Sequence, residues 1–199
     1  MRKIILATIL SAAFTSAQAA ATFVGFEEFG NVGTSGTVVT NQYPGVVFSS
    51  TLGMFNQVSS QTGIGDGLNF ICTGTGSINC TGETILTFTG TVSGLSFLAV
   101  GSDNSGVQAS VDVFVNNAFA GTNAITVSGV FNTPDLVDLS AYNNVTSIRI
   151  YNITDGGGLG WDNFTFTAGA VPEPETYAMM LAGLGLLGFT ARRRKQKSA

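Results

Sequence analysis

The chain reads as an all-β protein: an antiparallel two-sheet β-sandwich, expected as a jelly roll, followed by a short apolar helix near its C-terminal end. Three observations carry this reading. Between residues 22 and 168 no run has a helical period. Short β-rich runs are instead punctuated by Gly, Asn, Asp, Ser and Thr. Charged residues make up 10% of the 199, against roughly 25% in an average soluble domain, whereas 44% are hydrophobic and 15 are Phe. That is enough apolar material to fill the core of one domain.

The elements follow in order. Runs at 23–29, 46–50, 54–59, 68–72, 84–89 and 95–100 carry the β-branched and aromatic residues that a pleated surface favours. The clearest strand is 110–115, in which Val111, Val113 and Val115 share one face and Ser110, Asp112 and Phe114 the other. Asn116-Asn117 follows, and two Asn tolerate positive φ well enough for a tight hairpin turn. The return strand starts at Phe119 and Ala120 and bends at Gly121; a separate run at 124–131 follows. After 136–140 comes 145–153, which puts Ile148 and Ile150 with Thr146 on one face and Val145, Ser147, Arg149 and Tyr151 on the other. The last strand, 159–167, is read with Asp162, Phe164 and Phe166 on one side. About ten strands at short spacing suit a sandwich, and no solenoid or propeller repeat is present.

Charge is unevenly placed. Of eight basic residues, Arg149 alone lies between 20 and 170, among ten acids, for a net of −9. Such a body has nothing to neutralise phosphates, which argues against nucleic acid. The absence of His removes His-based dyads, triads and metal sites, and two Cys cannot build a four-cysteine zinc site. No Gly-x-Ser-x-Gly elbow occurs, and Gly156–Gly160 lacks both the spacing of a dinucleotide loop and a following helix. The expectation is a protein that is not an enzyme.

The two ends read as addresses. Residues 1–19 form an export signal for signal peptidase: Arg2 and Lys3, an apolar stretch from Ile4 to Phe14, and Ala17-Gln18-Ala19. Cleavage is expected after Ala19, with Ala21 as the alternative. The β body then covers 20–170, and 171–199 is a separate tail. There Pro172-Glu173-Pro174 precedes an apolar Gly-rich stretch, 177–191, and Arg192-Arg193-Arg194-Lys195. As a helix that stretch would be roughly 22 Å long, short of a hydrocarbon core of about 30 Å. With the arginines held inside, it still suits a pause in the inner membrane during export.

These residues resemble the PEP-CTERM sorting signal. The resemblance covers the tail and implies recognition and cleavage by exosortase, a membrane-embedded enzyme of Gram-negative bacteria that make extracellular polysaccharide. It implies a protein held transiently in the inner membrane, then placed at the cell surface or in the extracellular matrix (biofilm), in contact with exopolysaccharide. The order from Val111 to Phe166, with Asp138-Leu139-Ser140 and Asp162-Asn163-Phe164 within it, is similar to extracellular jelly-roll domains that precede such tails and look like carbohydrate-binding modules. In those, an acid near the first strand and one on the last often hold a structural Ca²⁺. The matching positions here are Glu27 or Glu28 and Asp162.

Two further expectations come from the residues themselves. After export Cys72 and Cys80 have only each other as partners, and a disulfide closing the 73–79 loop would contribute about 2–3 kcal/mol. Glycans stack on exposed aromatic rings, which makes Trp161, Tyr142, Tyr151 and Tyr43 candidate contacts. The other reading of the same four rings is core or sheet-edge packing.

Overall fold

The computed structural model describes residues 21–33, 36–51, 54–61, 67–75, 79–169 and 180–187. Residues 19–169 form one compact unit, and the helix at 180–187 belongs to another. In the first unit eleven strands follow one another: β1 (Ala21–Val24), β2 (Thr37–Val38), β3 (Val46–Ser49), β4 (Phe55–Ser60), β5 (Asn69–Gly74), β6 (Thr84–Val100), β7 (Ser105–Val115), β8 (Ala118–Ser128), β9 (Asp135–Asp138), β10 (Val145–Tyr151) and β11 (Gly160–Ala168). All named strand pairs are antiparallel, in the order β2-β4-β5-β11-β6-β10-β7-β8, with β1 on β11 and both β3 and β9 on β6.

The sandwich is this one sheet doubled back on itself, and β6 is where it turns. The sequence reading gives separate strands at 84–89 and 95–100. The structure runs straight through as a single 17-residue strand. Its first part pairs with β3 and β10, its second with β9 and β11. The buried residues Leu86, Phe88 and Val92 are even-numbered, whereas Leu95, Phe97 and Ala99 are odd. Alternation can change phase only if one extra residue is inserted, and Gly94 supplies it at φ +63°. Across the fold Phe48 of β3 meets Phe164 of β11 at 5.8 Å, and Phe88 of β6 meets Phe166 at 5.0 Å. These ring contacts close the main core between the two layers.

The last strand uses the same device. Trp161 and Phe164 both pack on Phe97, at 5.8 and 5.2 Å, although they are three residues apart. Asn163 at φ 51° and a register shift between Asp162 and Thr165 form the bulge that allows it. The expected run of Asp162, Phe164 and Phe166 on one side is therefore broken at Asn163.

The hairpin between β7 and β8 forms as expected, with Asn116 and Asn117 at φ 50° and 64°, the two positive values of a type I′ turn. The return strand is longer than expected, because 119–120 and the first part of 124–131 belong to one strand. At the start of the domain the strand expected over 23–29 ends at Val24. Phe26 then turns the chain at φ 63°, and Glu27–Phe29 form a single 3₁₀ turn. Positive φ is costly for a bulky side chain. Phe26 is held there by ring contacts with Tyr43, Phe48 and Phe164 in the core.

Cys72 and Cys80 are disulfide-bonded, their Cα atoms 5.0 Å apart. Both are buried in a second, smaller apolar cluster with Phe70 and Val100. The bridge anchors that cluster, and Cys80 accepts from Leu159 N at 3.0 Å just ahead of β11.

Candidate functional sites

The outer face of one layer is legible row by row from the strand registers. One row runs Ser49, Ile85, Arg149, Asp112 and Thr122 across β3, β6, β10, β7 and β8. The next runs Val47, Thr87, Ser147, Phe114 and Phe119. A third places Tyr151, Ser110 and Ala124 side by side.

Arg149 organises the first row. Its Nε donates to Glu83 Oε2 at 2.6 Å, and Nη2 lies 2.5 Å from the same oxygen. Nη1 leans towards Asp112 Oδ2 at 3.8 Å, and the guanidinium carbon sits 4.5 Å from the centre of the Tyr151 ring. Asp112 Oδ1 accepts from Thr122 Oγ1 at 2.6 Å and from the Tyr151 hydroxyl at 3.2 Å. Hydrogen bonding to Glu83 pushes the Arg149 pKa up, so the group stays a cation throughout. Two acids thus face one base, and the base is pinned by both. A free anion would have to displace a carboxylate already paired with Arg149.

The candidate glycan contacts fare differently. Trp161 is fully buried, in edge contact with Phe97, and a ring with no exposed surface cannot stack on a sugar. That expectation is corrected: Trp161 is core. Tyr151 is half-buried on the outer face, with one side of its ring under Arg149. Tyr142 is half-buried against the core, and its hydroxyl accepts from Asn123 Nδ2 at 3.0 Å. Tyr43 packs its ring on Phe26, Phe29 and Phe48. The aromatic ring that stands out on this face is Phe119, 60% exposed and in edge contact with Phe114 at 5.9 Å. Sequence reasoning passed over Phe119 as the start of a return strand. The alternation that puts Phe114 on the face of Asp112 was its available signal.

The three carboxylates suggested for calcium do not converge. Glu27 Oε1 accepts from Leu68 N at 2.9 Å and Asn69 N at 2.8 Å, which fastens the 3₁₀ turn to the start of β5. Asn69 Nδ2 completes that attachment through Phe26 O at 3.0 Å and Gly30 O at 2.9 Å. Asp162 is fully buried, and its Oδ1 accepts from Asn163 N at 2.7 Å. Among the described residues no three acids or cysteines stand close enough to hold a metal ion.

Glu28 and Asp162 meet instead in their effect on Tyr43. Burial first, and then the Glu28 carboxylate beside it, pushes the Tyr43 phenol far above its ordinary 10.0, and Asp162 acts in the same direction. The folded pKa exceeds the unfolded one. The stabilising contribution is therefore full below pH 10.0 and is lost as pH rises beyond it, where the unfolded chain sheds the proton and the folded chain keeps it. Tyr43→Phe is expected to flatten this alkaline loss. Melting temperatures measured between about pH 9 and 11 should fall less steeply in the variant than in the parent.

The chain ends supply the other site. Residues 180–187 form a helix whose large side chains, Met180, Leu181, Leu184, Leu186 and Leu187, are all exposed. Eight residues span about 12 Å, and among the described residues no helix is long and apolar enough to cross a membrane. The residues read as a signal peptide, Pro172-Glu173-Pro174 and Arg192-Arg193-Arg194 lie outside the described residues.

Comparison with known proteins identifies this tail. The PEP-CTERM protein-sorting motif matches residues 170–195, which span both the Pro-Glu-Pro triplet and the three arginines. No curated protein matches the chain. Among solved structures, a Stig cyclase, Fisc, from Fischerella sp. TAU, in complex with (3Z)-3-(1-methyl-2-pyrrolidinylidene)-3H-indole, is 16% identical, with a TM-score of 0.49 over 77% of this chain and 100% of that one. An isomalto-dextranase from Arthrobacter globiformis T6, complexed with panose, is 12% identical, with a TM-score of 0.36 over 76% of this chain and 33% of that one. Likenesses this distant carry no argument about chemistry.

Proposed function

From the PEP-CTERM sorting motif, which marks an exported protein sorted by exosortase through a C-terminal membrane-anchored signal, we propose that the β domain is a non-enzymatic component of the cell surface or extracellular matrix, in contact with exopolysaccharide. The motif at 170–195 is the observation that carries the reading. Support comes from the body: no His, a net charge of −9 from one base and ten acids, and a disulfide suited to life outside the cell. The domain scheme belongs to the same proposal, with an export signal over 1–19, a functional body over 20–170 and a removable tail over 171–199.

The deciding measurement is the intact mass of the protein recovered from the surface and the medium of its host. A chain starting near Ala20 and ending near Pro172 to Glu175, without Arg192 to Ala199, is the expected result. Extra mass on the new C-terminus would indicate covalent attachment. A full-length tail found only in the inner membrane overturns the matrix reading. Release of reducing ends from matrix polysaccharide by the purified protein would overturn the non-enzymatic one.

A second reading, a carbohydrate-binding module with a defined glycan, is favoured by the outer face that combines exposed Phe119 with Thr87, Ser147, Ser110 and Thr122. Sugar recognition needs that pairing of apolar ring and hydroxyl-bearing neighbours. Selective retention of one glycan on an array supports it, and flat binding across all sugars removes it. Calcium belongs to this reading through Glu28 and Asp162 with loop carbonyls, since Glu27 is committed to β5. A melting temperature that rises with millimolar Ca²⁺ over chelator supports the ion, and an unchanged one rejects it.

A further inference from the structure

We propose, resting on the sorting reading of the tail, that the β domain meets the lipid surface with one particular end: the end at which the chain enters β1 and leaves β11. These two strands are antiparallel, and Ala21 stands opposite Thr167. The chain therefore arrives and departs at the same end of the sheet. Thr167 and Ala168 pair there with Ser93 and Val92, at the turn of β6. Gly169 is fixed beside them, its N–H donating to Thr91 O at 2.7 Å. The sorting motif begins at the next residue, 170. Both expected cuts fall close to this point, since Ala19 lies two residues before Ala21 and Pro172 five residues after Thr167.

Chain length excludes the opposite end. Residues 170–176 separate Gly169 from the apolar stretch, and seven extended residues reach at most about 25 Å. β11 alone, from its Gly160 end to its Ala168 end, is about 27 Å long. The loops that carry Asp103 and Asp155 extend past the Gly160–Val100 pair. With those loops on the membrane, the tail would run out of chain before entering it.

Charge then separates the exit end from the flanks. The rows through Thr87, Val92 and Ser93 of β6 contain no acid and no base on any strand they cross. The Asn116-Asn117 hairpin lies at this end too, and Asn116 N donates to Asn144 O at 3.1 Å. The acids stand in other rows. Asp112 lies in the row of Ile85, and Asp138, Asp162 and Asp135 lie in those of Ser96, Leu98 and Ala99. A bilayer containing anionic lipid repels those parts of the domain and tolerates the uncharged end. Tether and charge thus select the same surface, and both processing points are presented to the membrane on it.

The test places the full chain in vesicles of phosphatidylcholine and phosphatidylglycerol, with a fluorophore on one introduced cysteine and the native cystine left oxidised. Ala118→Cys, exposed in the row of Val92, marks the exit end. Ser105→Cys, exposed at the start of β7, marks the opposite end. A quencher carried on lipid headgroups should quench the Ala118 label at least about twofold more than the Ser105 label, and a larger share of phosphatidylglycerol should widen the difference. Circular dichroism checks that each variant is folded, and Thr89→Cys replaces Ala118→Cys should the latter fail to fold. Equal quenching of the two labels, or stronger quenching of the Ser105 label, overturns the proposal and leaves the sorting reading standing. A chain that stays off the vesicles altogether removes the membrane-anchored tail, and overturns both.

Discussion

Trp161→Ala is expected to cost about 3–5 kcal/mol of folding stability, read as a lower urea midpoint at unchanged slope. The indole is fully buried on β11, and it meets Phe97 edge-on at 5.8 Å. Phe97 in turn stacks on Phe164 at 5.2 Å, and Phe164 touches Phe48 across the sandwich at 5.8 Å. Removing the indole opens a cavity at one end of a chain of rings that joins both layers. The surrounding strands are paired on both sides, with Trp161 opposite Ala99 and Ile71, so they cannot collapse into the space. Trp161→Phe keeps part of the ring and should lose clearly less. Because the chain has one Trp, its fluorescence reports this site alone. Emission should be that of an apolar environment in the folded state and shift red in urea. A red-shifted folded emission, or an alanine variant as stable as the parent, would put the indole outside the core.

Trp161 also shows where sequence reading stops. A tryptophan with a polar tip beside Asp162 suits a binding surface as well as a core, and nothing local separates the two. Burial is decided by the phase of β11 against β6, and that phase is set by bulges. Asn163 and Gly94 make those bulges, yet in sequence Asn and Gly are read as turn formers. The same ambiguity split β6 into two strands. Where turn chemistry and alternation agree, as at Asn116-Asn117 between Val-rich and Phe-Ala runs, the hairpin is read correctly. The Pro-Glu-Pro tail and the disulfide were legible because each depends on composition and order, not on long-range register. The Arg149 network lay partly in view, since Arg149 and Tyr151 share a face of β10. Its anchor, Glu83, stands 66 residues away, a distance no local pattern spans.

Asp155→Ala is expected to cost on the order of 3 kcal/mol, for a reason the sequence only half shows. Asp155-Gly156-Gly157-Gly158 reads as a turn, and so does Asp103-Asn104-Ser105-Gly106. The structure ties the two together through one buried carboxylate. Asp155 Oδ2 accepts from Asp103 N at 2.9 Å and Asn104 N at 3.1 Å, and Oδ1 accepts from Gly157 N at 3.0 Å. Alanine leaves three backbone N–H groups without their acceptor, and each such loss costs about 1–3 kcal/mol where water does not replace it. The loops that lead into β7 and β11 would part. Gly158 marks the consequence, because it lies against the Cys80 backbone at φ +80° with no room for a Cβ. Asp155→Asn keeps the shape but turns one acceptor oxygen into a donor, so it should recover only part of the loss. Chemical denaturation of the three proteins orders them as parent, asparagine, alanine. Equal stability for all three would mean that the disulfide and the Gly158–Cys80 contact hold these loops without help from the carboxylate.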